Sequence, residues 1–294
     1  MKKVLVVGAG FMGGGIAQAC AQAGYRVHLT DINAEALDKA KREIHWSVDK
    51  LVNKGLLKEQ TPQILERLIL EHDLVPAATA DWVIEAVPEI EGLKKELFQE
   101  LDRLAPLATP IATNTSTIPI TRIAKATQHP EKVLGLHFFG PVPMMGVVEV
   151  VKGEKTSEEI FESGLQFVQS LGKIPLKVKK DIPGFLLNRI SGAAFREALD
   201  LVEKGITTAE DIDTGMRLGF GWRVGPFEIC DNAGLDIYYH AGKFLESMGE
   251  KHLSFNSPLL EKMVREGRLG KKTGQGFYRY SPDGRKQPYK NNKG

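Results

Sequence analysis

Lys3-Val4-Leu5-Val6-Val7-Gly8-Ala9-Gly10-Phe11-Met12-Gly13 is the stretch whose reading decides the fold. The apolar run Lys3–Val7 reads as a core strand, and three glycines follow it at the spacing G-x-G-x-x-G. The first, Gly8, permits a tight turn from strand into helix. Gly10 lets the backbone approach a pyrophosphate, and Gly13 lets helix and strand pack closely. The helix that opens here, read over 12–23 and stopped by Gly24, offers free N–H groups and a partial positive charge to phosphates. The glycine spacing alone is a weak signal. Its context is what gives it weight: a strand before it, a helix after it, and Asp31 at the end of the next strand, 27–30. A carboxylate at Asp31 accepts ribose hydroxyls and repels a 2′-phosphate, so the expected cofactor is NAD rather than NADP. Gly8, Gly10, Phe11, Met12, Gly13 and Asp31 are the expected cradle.

Working outward, strands and helices alternate. A helical excursion is expected over 33–72, with Leu37, Ala40, Ile44, Val48 and Leu51 on one face and Thr61-Pro62 as a second helix start. Strand character returns at 82–86, 110–113, 133–136, Val147–Val151 and 176–178. A helix is opened by Thr156-Ser157-Glu158-Glu159, which fits a capping box. This alternation predicts an α/β domain, a Rossmann-type doubly wound, mainly parallel sheet, over 1–182. The character changes at Asp181-Ile182-Pro183-Gly184. Beyond it only helical patterns occur: 185–204 ended by Gly205, one opened by Thr208-Ala209-Glu210-Asp211, then 226–248 and 257–267. A C-terminal all-α domain is therefore expected over 183–280, followed by a loose polar tail at 281–294.

The 294 residues carry 42% apolar and 26% charged side chains, as in a globular protein, and a net charge of +2. That charge makes no global case for nucleic acid, although the excess Lys and Arg gather in 265–293. Two cysteines, Cys20 and Cys230, make no disulfide framework, and no metal-binding motif is present. No membrane-spanning run occurs, and a core strand beginning near residue 4 leaves no room for a cleaved signal. A cytoplasmic compartment is the default expectation, although a processed organellar form would look the same.

Three polar clusters stand at strand ends in apolar surroundings. They are Asn114-Thr115-Ser116-Thr117, His137 in Gly135-Leu136-His137-Phe138-Phe139, and Glu149 in Val147-Val148-Glu149-Val150-Val151. Singly each has an ordinary reading: a core histidine, a solvent-facing glutamate, a serine capping a helix. A carboxylate inside a β-branched run is expected to be buried, and a buried carboxylate needs a partner. A His137–Glu149 pair meets that need and yields an oriented general base.

With these motifs on the page, the chain resembles the short-chain L-3-hydroxyacyl-CoA dehydrogenases, a family that includes bacterial 3-hydroxybutyryl-CoA dehydrogenases. The resemblance runs from Val4 to about Tyr280. It rests on GAGFMGGGIAQ (8–18), NTS (114–116), GLHFFGPVPMMGVVE (135–149), PGFLLNR (183–189), GPFEICDNAGLD (225–236) and LGKKTGQGFY (269–278). It implies NAD-dependent oxidation of an (S)-3-hydroxyacyl-CoA, with His137 as base, Glu149 orienting it, and Ser116 and Asn188 holding the reacting oxygen. It implies NAD contacts from Asp31, Glu89, Lys94, Asn114, Ser116 and Lys272, contacts to the CoA from Ser47 and Lys54, and a homodimer formed through the C-terminal domain. Three departures concern the substrate end. Gly140 stands where the family's His-Phe-Phe-Asn-Pro has asparagine, Gly146 where lysine is common, and Gly221-Trp222-Arg223-Val224-Gly225-Pro226 where Asn-His-Pro-Met-Gly-Pro is usual. Two other readings stay open at this point: a dehydrogenase of a free, non-CoA 3-hydroxy acid, and a non-catalytic NAD-binding protein.

Overall fold

The computed structural model describes residues 1–287. The chain forms two compact units that part after Phe185.

The first unit is built on β1 (Lys3–Val7), β2 (Arg26–Thr30), β3 (Leu68–Glu71), β4 (Trp82–Glu85), β5 (Ile111–Thr113), β6 (Val133–Phe138), β7 (Val147–Val151) and β8 (Ile174–Val178). They form one sheet in the order β3-β2-β1-β4-β5-β6-β7-β8. All neighbours run parallel except β6 and β7, which are antiparallel. The order reverses at β1, the strand that carries the glycine loop, and ligands of such sheets bind beyond the carboxyl ends of the strands at that switch. The helices are α1 (Phe11–Gln22), α2 (Ala34–Asn53), α3 (Thr61–Leu65), α4 (Glu91–Leu104), α5 (Ile120–Ala124) and α6 (Glu158–Ser170). Ile16, Leu37, Ile44, Val48, Phe161, Leu165 and Val168 pack with Val4, Val6, Leu29, Ile84, Leu134 and Val150 into one core, so the apolar periodicity of the helices is spent on the sheet.

Several local expectations are corrected. The excursion at 33–72 is not helical throughout: it ends in β3, an edge strand paired Val27↔Leu68 through Thr30↔Glu71. The run Leu68-Ile69-Leu70-Glu71 has too few residues to reveal its period. The short helix is capped at Gln60, and Thr61 is its first residue, whose hydroxyl is hydrogen-bonded to Asp49. Ser157, not Thr156, caps α6, accepting from Ile160 N at 3.2 Å. The Thr156 hydroxyl instead donates to the Val133 carbonyl and accepts from Gly153 N, closing a buried turn.

The second unit contains α7 (Leu187–Glu203), α8 (Ala209–Phe220), α9 (Pro226–Ala233), α10 (Leu235–Ser247) and α11 (Pro258–Arg265). Phe195, Leu199, Phe227, Leu235, Leu260, Met263 and Tyr278 make its core. Phe185, at φ +47°, lies outside α7 rather than opening it. The pattern at 226–248 is two helices, broken where Gly234 takes φ +111°. The chain beyond Tyr280 turns back instead of running loose: Tyr280 pairs with Lys286, and Gln287 N donates to the Arg279 carbonyl at 2.8 Å. The rest of the expected tail lies outside the described residues.

Candidate active site

The glycine loop has the shape its spacing predicts. Gly8 sits at φ +103°, and a Cβ there would stand 2.7 Å from the Ala86 carbonyl oxygen. A Cβ on Gly13 would meet the Gly8 oxygen at 1.8 Å, so neither position admits a side chain. Around Gly10, by contrast, no atom lies within 4 Å of the space a Cβ would take. That open flank at the start of α1 is where a phosphate can reach the backbone. Asp31, at the end of β2, accepts from Ala9 N at 2.7 Å and from Asn33 N at 2.9 Å, which holds its carboxylate against the loop. An open pyrophosphate cradle with a carboxylate at its ribose side fits NAD.

Beyond β4 and β5 a buried charge network shapes the next wall. Glu85 is wholly buried and Lys94 is 1% exposed. Lys94 Nζ lies 2.6 Å from Glu85 and 3.3 Å from Glu89, and donates to the Val87 carbonyl at 3.2 Å. Glu89 in turn accepts from the Thr115 hydroxyl, from Ser116 N and Thr117 N, and from the Thr117 hydroxyl. Burial pushes Glu89 up, but Lys94 and these donors outweigh it and hold its carboxyl below the ordinary range. At Glu85 burial wins over Lys94 and the Thr113 hydroxyl, and its carboxyl is raised. The network fixes the loop 114–117 in place. Lys94 already has three partners inside the protein, so a direct contact with a dinucleotide would require one of them to open. Glu85 was not singled out from the sequence, although it carries the signal that marked Glu149: an acid inside an apolar strand.

Asn114 accepts from Phe138 N at 2.9 Å through its side-chain oxygen, knitting the end of β5 to the end of β6. Ser116 follows, half-buried at the tip of the loop. On β6 itself, His137 stands directly opposite Glu149 of the antiparallel β7. Directly opposed side chains in such a pair lie within reach of each other. His137 Nδ1 is 2.6 Å from Glu149 Oε2, with His137 5% exposed and Glu149 wholly buried. The rings of Phe139 and Phe185 flank the imidazole at 4.5 and 5.5 Å between centroids. A carboxylate on Nδ1 places the proton there and leaves Nε2 as the basic nitrogen.

Ser47 and Lys54 both belong to α2 and its end. The Ser47 hydroxyl accepts from Gln18 Nε2 at 3.0 Å, while Lys54 is exposed at the helix terminus. In the second unit, Asn188 is exposed on the first turn of α7, and Lys272 is ion-paired to Asp236 at 2.6 Å. Among the described residues no group of His, Cys, Asp or Glu is placed to hold a metal ion. Both cysteines are buried, and burial pushes the Cys20 thiol up to about 12.

Residues 3–182 match the NAD binding domain of 3-hydroxyacyl-CoA dehydrogenase, and residues 184–280 match the C-terminal domain of the same family. The chain belongs to the 3-hydroxyacyl-CoA dehydrogenase family. It is therefore an NAD-dependent oxidoreductase, and its two units correspond to the family's Rossmann-type and helical domains. It is 41% identical to the mitochondrial hydroxyacyl-coenzyme A dehydrogenase of Homo sapiens over 95% of this chain and 91% of the relative. It is 39% identical to a probable 3-hydroxybutyryl-CoA dehydrogenase of Bacillus subtilis over 95% and 98%. Among solved structures, the (S)-3-hydroxybutyryl-CoA dehydrogenase of Ralstonia eutropha superposes with a TM-score of 0.89 at 36% identity, over 96% of this chain and 99% of that one. Among its described residues the chain has no helix long and apolar enough to cross a membrane.

Proposed function

We propose that this 3-hydroxyacyl-CoA dehydrogenase oxidises (S)-3-hydroxybutyryl-CoA and close relatives to the 3-ketoacyl-CoA, with the His137–Glu149 pair as general base. The observation that carries the reading is the 2.6 Å contact between His137 Nδ1 and Glu149, because it leaves Nε2 free to take a proton from an alcohol. In this mechanism Nε2 removes the 3-hydroxyl proton. Glu149 holds the tautomer and favours the imidazolium that forms, as a carboxylate partner does. NAD, when bound, would supply the acceptor for the hydride that leaves C3. Ser116 and Asn188 hydrogen-bond the 3-oxygen as it gains negative charge; removing one such donor commonly lowers turnover about 100- to 1000-fold. Asp31, Glu89, Lys94, Asn114, Ser116 and Lys272 hold the cofactor, Glu89 and Lys94 by shaping the 114–117 loop. Ser47 and Lys54 bind the CoA end of the thioester.

The reading is tested by following NADH oxidation with acetoacetyl-CoA and with free acetoacetate. Turnover of the thioester at least 100-fold more efficient than that of the free acid is expected. Equal turnover of the two would instead identify a dehydrogenase of free 3-hydroxy acids. A homodimer formed through the helical domain completes the proposal. Its support is the apolar surface that unit leaves exposed: Ile206, Leu218, Phe220 and Ile237. Sedimentation at micromolar concentration should give a dimer; a monomer contradicts this part.

A further inference from the structure

Helix α1 presents one face to the segment that follows β6. Gly15 belongs to that face, and a Cβ on it would stand 3.0 Å from Val142 Cβ. Phe11, one turn earlier and the first residue of α1, belongs to it as well. A Cβ on Gly140 would stand 2.6 Å from Phe11 Cε1 and 3.5 Å from Met12 Sδ. The Phe11 ring therefore occupies the space in which any side chain at 140 must begin. It is seated on Gly140 on one side, yet the residue as a whole is 67% exposed. The ring belongs to the first residue of α1, directly after Gly10 with its open flank, and the Gly140 it covers follows His137 by three residues.

This explains the departure at 140. The resemblance calls for asparagine there, a side chain with one donor and one acceptor group. This chain instead closes the same space from the opposite loop, with an aromatic ring that offers an apolar face and no hydrogen bond. The two solutions exclude each other sterically. The clash is with the far end of a flexible, exposed side chain, so adding a side chain at 140 would swing the ring aside rather than unfold the domain.

We propose that Phe11 is a binding and specificity-determining residue: seated on Gly140, its ring packs against the nicotinamide-riboside end of NAD(H) in place of a polar contact from residue 140. The proposal rests on the reading of this site as the NAD-linked centre around His137.

A double-mutant cycle tests it, with NADH dissociation constants measured by fluorescence titration in the absence of any acyl-CoA. The variants are Gly140→Asn, Gly140→Ala, Phe11→Leu and Phe11→Leu/Gly140→Asn. In the parent, Gly140→Asn should weaken NADH binding about tenfold and Gly140→Ala about threefold. In the Phe11→Leu background the asparagine should cost threefold or less. Melting temperatures of all four should stay close to the parent's. Equal fold-changes in the two backgrounds would overturn the proposal. So would coupling confined to melting temperature, which a merely packing role would produce. Failure to turn over acetoacetyl-CoA would count against the substrate reading and leave this titration intact.

Discussion

Each unit buries carboxylates completely, and the two treat them differently. In the sheet unit, Glu149 lies opposite His137 across a strand pair, and Glu85 is matched by Lys94. In the helical unit, Asp213 and Asp231 are equally buried, but backbone amides and phenols answer them. Asp213 accepts from Phe227 N and Glu228 N at the start of α9, and from the Tyr278 hydroxyl. Asp231 accepts from Phe277 N, Tyr278 N and the Tyr280 hydroxyl. Burial raises both aspartates, and these donors offset it only in part. Burial of an acid therefore does not by itself mark a reactive site. In the mechanism proposed above, the mark is a histidine partner at the carboxyl end of a strand, whose second ring nitrogen can take up a proton. The aspartates staple helix ends and the 277–280 segment, and their expected effect is on stability.

The comparison can be broken in several places. The largest effect is expected from His137→Ala, which should lower turnover at least about 1000-fold, within the range for loss of a general base. NADH affinity should stay within about threefold. A variant that keeps a tenth of the parent's turnover would remove His137 from the role. Asp231→Ala comes next. It leaves two amides and a phenol without their acceptor, and about 3 kcal/mol of stability should be lost in denaturant titration. At a temperature where the variant is folded its turnover should match the parent's; a specific loss of turnover would erase the distinction between the two units. Asp31→Ser should weaken NAD about tenfold and narrow the preference over NADP, as steady-state kinetics with each cofactor would show. An unchanged NAD affinity would contradict the ribose role.

The smallest effect is on pH dependence. Asp213 and Asp231 ionise less readily in the folded protein than in the unfolded chain, where an aspartate titrates near about 3.9. The stability they contribute is fully present below that value and is lost as pH rises through their raised folded values. Melting curves taken between about pH 4 and 7 should show the parent's advantage over Asp231→Asn shrinking as pH rises. An advantage that grows with pH would mean that the amide donors outweigh burial.

Much of the sheet unit was legible in the sequence, because its signals are local. Val4-Leu5-Val6-Val7 before a glycine turn and Glu149 inside four valines each state their surroundings within a few residues. That His137 and Glu149 face each other follows from strand register, which the sequence suggests and the antiparallel β6–β7 pair supplies. The missing pieces are long-range. β3 is too short to show a period, and its strand character comes from pairing with β2. Glu85, Glu89 and Lys94 lie within one short stretch, but the loop their network holds, Thr113 to Thr117, is 26 to 28 residues further on. Asp213 and Asp231 sit among polar helical residues, Asp211-Ile212-Asp213-Thr214 and Cys230-Asp231-Asn232, and read as solvent-facing until the chain at 277–280 packs against them. Gly140 was visible as a departure, but its reason lies on another element, in the ring of Phe11.

The pairing of His137 with Glu149 is the centre of the account, and Glu149→Gln tests it most directly because the shape is kept and the charge removed. Turnover with acetoacetyl-CoA and NADH should fall at least about 100-fold, since the imidazolium loses its counter-charge and the tautomer its anchor. NADH affinity should change little. Turnover within threefold of the parent's in a folded variant would contradict the account.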